Sequence, residues 1–165
     1  MNEQHPLICV MGVSACGKST VGERLAQHLS VPFLDGDSLH PAENTAKMTA
    51  GVPLTDDDRW PWLDAIGRRF AEAVDSGLVV ACSALRRAYR DRLRAAAPGI
   101  RFVHLDGPDA LLAERAAARS HEFMPVSLLA SQLATLERLE PDENGIVVST
   151  DSAPDDIVAE ILERL

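Results

Sequence analysis

The chain has 165 residues, about one domain's worth, and its 46% hydrophobic and 25% charged residues are those of an ordinary folded protein, neither disordered nor fibrous. A formal net charge of -9 argues against nucleic acid or an acidic membrane surface as partner, because such polyanions are normally met by basic protein surface. No apolar run approaches the ~18 residues of a membrane span, and MNEQHP lacks the basic-then-apolar plan of a leader. Cys9, Cys16 and Cys82 have no CxxC spacing, as expected of buried thiols in a reducing, cytoplasmic compartment.

The first apolar run, Leu7 to Met11, reads as a strand. It reaches Gly12, and after four intervening residues come Gly17, Lys18 and Ser19. Between Lys18 and Leu29 the apolar positions Val21, Leu25 and Leu29 recur at helical spacing, and Ser30-Val31-Pro32 ends the run. Val31 to Leu34 reads as a second strand, followed by Asp35-Gly36-Asp37. Leu39 to Asp58 is polar and rich in turn formers, and is expected to be a mobile covering without core elements. Leu63, Ile66, Phe70 and Val74 form a helical stripe with Pro61 near its start and Gly77 at its stop. Trp60 and Trp62 pack that helix start, and Asp56, Asp57 and Asp58 can serve as its N-terminal acids.

Further strands follow at Leu78 to Cys82, Ile100 to Leu105 and Ile146 to Val148. Helices begin near Pro108 and Pro154, and Arg119 to Pro125 interrupts two helices as a second mobile covering. Continuous apolar strands alternating with amphipathic helices imply an α/β fold, a parallel sheet with helices on both faces. The carboxyl ends of parallel strands share one edge, so the residues after each strand should converge there. One domain over residues 1–165 is expected, without repeats or a linker.

Gly12-Val13-Ser14-Ala15-Cys16-Gly17-Lys18-Ser19 is G-x-x-x-x-G-K-[ST] between a strand and a helix, the setting a triphosphate loop requires. Backbone N–H groups from Gly12 to Thr20 would wrap the phosphates of ATP, Lys18 would reach the β and γ oxygens, and the Ser19 hydroxyl would ligate Mg2+. Cys16 reads either as a small residue that fits the loop or as an oxidisable thiol beside a helix N-terminus.

Phosphoryl transfer also needs a positioned acceptor and a group to take its proton. Asp35 and Asp37 lie two apart just past a strand, so one can face the metal's water shell and the other a substrate hydroxyl; an Asp-Gly turn is the alternative. Leu85 to Arg94 holds five arginines against one aspartate, and Arg86 and Arg90, four apart, share a helical face suited to an anionic acceptor. Arg87, Arg92 and Arg94 read as solvated surface charges. Arg115 and Arg119 either close over the triphosphate or pair with Glu114 or Glu122. His40 on its own reads as a loop histidine. The residues alone indicate a kinase for a small anionic acceptor.

Taken together, GVSACGKST, FLDGDSLHPAENTAKMTAGVPLTDDDRWPWL, CSALRRAYRDRLR and FMPVSLLASQLATLE resemble the bacterial-type gluconate kinases, of the P-loop kinase fold shared with shikimate and nucleoside monophosphate kinases. The resemblance runs from about Leu7 to Leu139. It implies strand order 2-3-1-4-5 and Mg2+-dependent transfer from ATP to the 6-hydroxyl of D-gluconate, usually by a homodimer. It assigns the sugar acid to Asp37, His40, Arg59, Arg86 and Arg90, with Asp37 as base, a substrate segment at about 38–60 and a lid at about 119–127. In that reading Lys18, Asp37 and Arg119 are catalytic, Ser19 and Asp35 serve the metal, and Arg115 and Arg119 serve the nucleotide. The rivals are a shikimate-like or nucleoside monophosphate kinase and, outside enzymes, a nucleotide-dependent switch. No N-K-x-D or T-K-x-D guanine-reading motif occurs. Two positions depart from the family's pattern: Ala15-Cys16 in the loop, where alanine is expected to avoid left-handed backbone, and His121-Glu122 in the lid.

Overall fold

In β1 (Leu7–Met11) every residue is buried, although successive side chains of a strand point to opposite faces of its sheet. A strand buried at each position is therefore covered on both sides, and the same holds for β3 (Leu78–Ala81). The structure, a computed structural model, describes residues 5–118 and 127–165. Within these, the remaining strands are β2 (Phe33–Asp35), β4 (Arg101–Asp106) and β5 (Gly145–Ser149). All pair in parallel in the order β2-β3-β1-β4-β5, with Cys9 opposite Val80 on one side and Phe102 on the other. This is the sheet order the resemblance implies.

The helices are α1 (Lys18–Leu29), α2 (Ala42–Thr49), α3 (Asp56–Glu72), α4 (Arg87–Ala96), α5 (Asp109–Ala118), α6 (Ser127–Thr135) and α7 (Pro154–Arg164). Helix α1 packs beside α7 and α3 beside α4. Leu25 and Ile161 from the first pair, and Leu63, Ile66, Phe70 and Leu93 from the second, have no solvent exposure. Fully burying such a side chain is worth about 1.5–3 kcal/mol, so the amphipathic stripes seen in sequence are what hold the helices to the sheet. No described helix is long and apolar enough to cross a membrane.

Two expectations need correction. Residues 39–58 were expected to lack core elements, yet they contain α2, whose Asn44 and Met48, four apart, form a buried face. Pro41 at its N-cap position supplies the start, but a single large apolar residue gives too faint a stripe to read as a helix. Helix α3 begins at Asp56, with Asp56, Asp57 and Asp58 as the expected acids of its first turn, whereas Pro61, expected near the start, lies inside it. The reason is a capping box: Asp58 N donates to Thr55 Oγ1 at 3.1 Å and Thr55 N to Asp58 Oδ2 at 2.9 Å. Thr-x-x-Asp is legible in sequence and outweighs Pro61 as the start signal.

Because the strands are parallel, the segments after β1, β2 and β3 open on one rim. Ser14, Ala15, Gly17, Lys18, Ser19, Asp35, Asp37, Ser83 and Leu85 line a common cleft there with His40 and Arg59.

Candidate active site

Between β1 and α1 the chain turns through Gly12 at φ 145° and Gly17 at φ 96°. A Cβ on Gly12 would stand 2.8 Å from Cys16 Sγ and 2.9 Å from Leu105 O, so only glycine fits. Cys16 has no exposure, its sulfur filling the space beneath Gly12. Of the two readings of this cysteine, packing is the one the geometry favours. Ala15, expected to avoid left-handed backbone, adopts it at φ 65°. Wrapping successive amides around an anion needs such a turn, and at an L-residue it costs about 1–2 kcal/mol. The loop holds strain that a glycine would relieve.

The loop is braced from below. Thr150, just past β5, donates from its hydroxyl to Cys16 O at 2.5 Å. Arg115 donates in turn to Thr150 Oγ1 and to Thr150 O, both at 2.9 Å. Arg115 therefore meets Thr150 rather than Glu114, and it lines a second hollow against the loop together with Thr20, Thr150 and Pro154. Lys18 Nζ donates to Val13 O at 2.9 Å, folded back on its own loop. The amide of Ser14 donates to Gln132 Oε1 of α6 at 2.6 Å, so a side-chain oxygen sits where a phosphate oxygen would be received.

Across the cleft, Asp35 ends β2. Its Oδ1 accepts from Asp37 N at 3.1 Å and its Oδ2 from Ser19 Oγ at 3.3 Å. A hydroxyl and a carboxylate at this spacing suit Mg2+, which takes few protein oxygens and keeps waters and phosphate oxygens for the rest. Among the described residues no group of three or more His, Cys, Asp or Glu could form an all-protein metal cage.

Asp37 opens into the same cleft. Burial pushes its carboxyl above the ordinary aspartate range; Lys18 opposes that shift and the Asp35 charge adds to it. His40 stands with Nε2 3.7 Å from Asp37 Oδ1 and lies flat on Trp62, ring centroids 4.0 Å apart at 16°. Burial, with Arg59 nearby, lowers the imidazole pKa to about 4, so His40 is neutral at pH 7. Trp62 Nε1 donates to Gly36 O at 2.7 Å, tying this stack to the Asp35–Asp37 turn.

The arginines divide into two groups. Arg59, at the cleft wall, donates to Tyr89 OH at 2.8 Å, and the phenol donates to Asp56. Arg59 Nη1 and Arg86 Nη1 lie 3.7 Å and 3.6 Å from the two oxygens of Asp56, so both guanidiniums gather at one carboxylate on the rim. Arg90, expected beside them, is placed apart. It shares a helical side with Arg86 but points inward with no exposure, donating from Nε and Nη2 to Glu143 and from Nη1 to Ala84 O. Ala84 is left-handed at φ 44°, in the turn between Ser83 and Leu85 of the cleft lining. Arg90 therefore braces the turn that carries part of the cleft lining, and its bonded donors go to Glu143, Ala84 and Arg138. Arg119 and most of the expected lid, residues 119–126, lie outside the described residues.

Sequence reasoning missed Asn44, Tyr89, Gln132 and Thr150. Asn44, Tyr89 and Gln132 fall inside the stretches that carry the family resemblance without a role of their own there, and each of the four reaches the site from an element far away along the chain or through a neighbour.

The cleft thus joins a triphosphate loop, a two-aspartate turn and Arg59, with Arg86 beside Arg59 at the Asp56 carboxylate. A sequence model described as an AAA domain matches residues 7–139. The gluconokinase of Gluconobacter oxydans (strain 621H) is 47% identical over 95% of this chain and 89% of its own length. The chain belongs to the gluconokinase family. The crystal structure of a gluconokinase from Sinorhizobium meliloti 1021 superposes with TM-score 0.88 at 51% identity, covering 96% of this chain and 90% of that one. Shikimate kinase from Aquifex aeolicus shares the fold, at TM-score 0.58 and 18% identity over 95% of this chain and 94% of its own. The gluconokinase family is thus matched over nearly the whole chain, and the wider P-loop kinase fold beyond it.

Proposed function

We propose that this cleft transfers the terminal phosphoryl group of ATP to the 6-hydroxyl of D-gluconate, giving ADP and 6-phospho-D-gluconate. The chain is a kinase. The observation that carries the reading is that Asp37 and Lys18 line one cleft in a gluconokinase-family chain, so a proton acceptor and a triphosphate loop address the same space.

The reaction demands little covalent chemistry from the protein. As the substrate oxygen approaches phosphorus in line, the bond from the γ-phosphorus to the β,γ-bridging oxygen breaks, and charge spreads over the phosphoryl oxygens. Asp37 takes the hydroxyl proton. Its raised pKa supports this role, because a base works best when its pKa lies closer to working pH. Backbone amides from Gly12 to Thr20 and the Lys18 ammonium hold the donor phosphates, a use for which Gln132 must first yield the Ser14 amide. Mg2+, when bound, neutralises phosphate charge, and Ser19 and Asp35 are the residues suited to hold it.

Arg59 and Arg86 take the substrate carboxylate, exchanging Asp56 for it. His40 contributes to the acceptor side, and Arg119 with Arg115 serves the nucleotide. The whole chain acts as one kinase domain, with residues 38–60 as the acceptor segment and 119–127 as the lid. A cytoplasmic homodimer is the setting proposed.

An acceptor panel tests the reading. ADP release should be fast with gluconate and near background with shikimate, glycerate and nucleoside monophosphates. Preference for any of the latter would replace gluconate as acceptor, and tight nucleotide binding without turnover on any acid would favour a switch.

A further inference from the structure

Asn44, on α2, is 3% exposed, and the orientation of its amide follows from its neighbours. Its Nδ2 lies 2.9 Å from the main-chain carbonyl oxygen of Asp58. A carbonyl only accepts, so the NH2 end of the amide must face it. The other N–H of that group meets His40 Nδ1 at 3.2 Å. A ring nitrogen that accepts a hydrogen bond carries no proton, and a neutral imidazole has one proton to place. It must sit on Nε2, the edge that faces Asp37 Oδ1 at 3.7 Å.

The parts that impose this arrangement are themselves held. Asp58 belongs to the capping box of α3 and accepts from Lys47 Nζ at 2.7 Å, which fixes the carbonyl that orients Asn44. The Trp62 stack holds the imidazole plane. His40 is left with one freedom, which nitrogen is protonated, and Asn44 removes it.

We propose that Asn44 is a positioning residue that locks His40 in its Nε2–H tautomer, so that His40 offers the acceptor side of the cleft a hydrogen-bond donor and never a base. This rests on the reading of the Asp37 cleft as the acceptor site. Its consequence is a division of labour. A substrate hydroxyl held near His40 receives the Nε2–H on its oxygen and keeps its own proton for a carboxylate, so only Asp37 can take that proton. The opposite tautomer would turn a lone pair toward Asp37, set two acceptors against each other, and leave the substrate oxygen without its donor.

The direct test is a long-range proton–nitrogen correlation spectrum of the nitrogen-labelled full chain, with His40 assigned by its loss in His40→Gln. The expected spectrum shows His40 as the Nε2–H tautomer at neutral pH, and Asn44→Asp, whose carboxylate can only accept, moves a proton onto Nδ1. An Nδ1–H tautomer in the unsubstituted protein would overturn the proposal, as would an unchanged His40 signal in folded Asn44→Asp. Should that variant not fold, the unsubstituted spectrum and a kinetic cycle decide. Asn44→Ala should lower kcat for gluconate about tenfold, with KM for ATP unchanged, and should add nothing in a His40→Gln background. Equal losses in both backgrounds would make Asn44 merely structural and overturn the positioning role. The spectrum is read without turnover, so it stands apart from the test of Asp37 as base.

Discussion

Arg90 and Glu143 form a two-pronged ion pair in which neither side chain has any solvent exposure. Taking two charges out of water is costly, and the pair holds only while both partners are present. Arg94 also reaches Glu143, at 2.5 Å, so the carboxylate would keep one partner if Arg90 were lost. Arg90→Met should destabilise the fold by about 3 kcal/mol, read as a lower urea midpoint.

Arg86 provides the contrast. It is half-buried and meets Asp56 only at 3.6 Å. Arg86→Met should leave stability within about 0.5 kcal/mol and raise KM for gluconate about tenfold, the loss of one charge-assisted contact. Steady-state kinetics with gluconate varied at saturating ATP separates the two arginines. Unchanged KM would remove Arg86 from the acceptor site.

These two residues also show how far the sequence could be read. Spacing of four placed Arg86 and Arg90 on one helical side, but not which way that side faces, because Glu143, the charge that draws Arg90 inward, lies 53 positions away. Strand and helix positions were legible wherever a stripe of large apolar residues repeats, as in Val21, Leu25 and Leu29. Helix α2 was not, because its buried face consists of Asn44 and Met48, and a buried asparagine reads as polar. The cradle was legible because its glycines answer to local backbone geometry, as at Gly12. Gln132 was not, since nothing near it along the chain marks its contact with Ser14.

Ala15 tests the cradle's strain. Glycine adopts φ 65° without the Cβ clash that alanine meets. Ala15→Gly should raise stability by about 1 kcal/mol, less the extra freedom glycine gains in the unfolded chain. A denaturant titration reads it, and a destabilised variant would mean the loop is not strained at this point.

Gln132 competes with the donor. Its Oε1 occupies the Ser14 amide, and a typical hydrogen bond contributes about 1 kcal/mol. Gln132→Ala should therefore bind nucleotide about fivefold more tightly in a calorimetric titration without acceptor. Weaker binding would show that Gln132 also holds the nucleotide.

His104, on β4, is buried with Nδ1 unpartnered among the described residues, and burial lowers its pKa to about 4. A depressed pKa makes the unfolded chain bind the proton first. Stability is therefore full above the unfolded value of 6.5 and falls as pH drops towards 4, by no more than about 3 kcal/mol from this residue. His40 shifts in the same direction and adds to the slope. Urea midpoints measured from pH 7 to pH 4 should fall, and His104→Leu should flatten the decline.

Whether Asp37 receives the acceptor's proton is read most directly from turnover by Asp37→Asn. Asparagine keeps the shape and hydrogen-bonding reach of the side chain but cannot take up the proton. ATP should bind as before, and kcat for gluconate should fall by about 10²–10⁴-fold. A variant that binds ATP and phosphorylates gluconate at a near-normal rate would contradict the account.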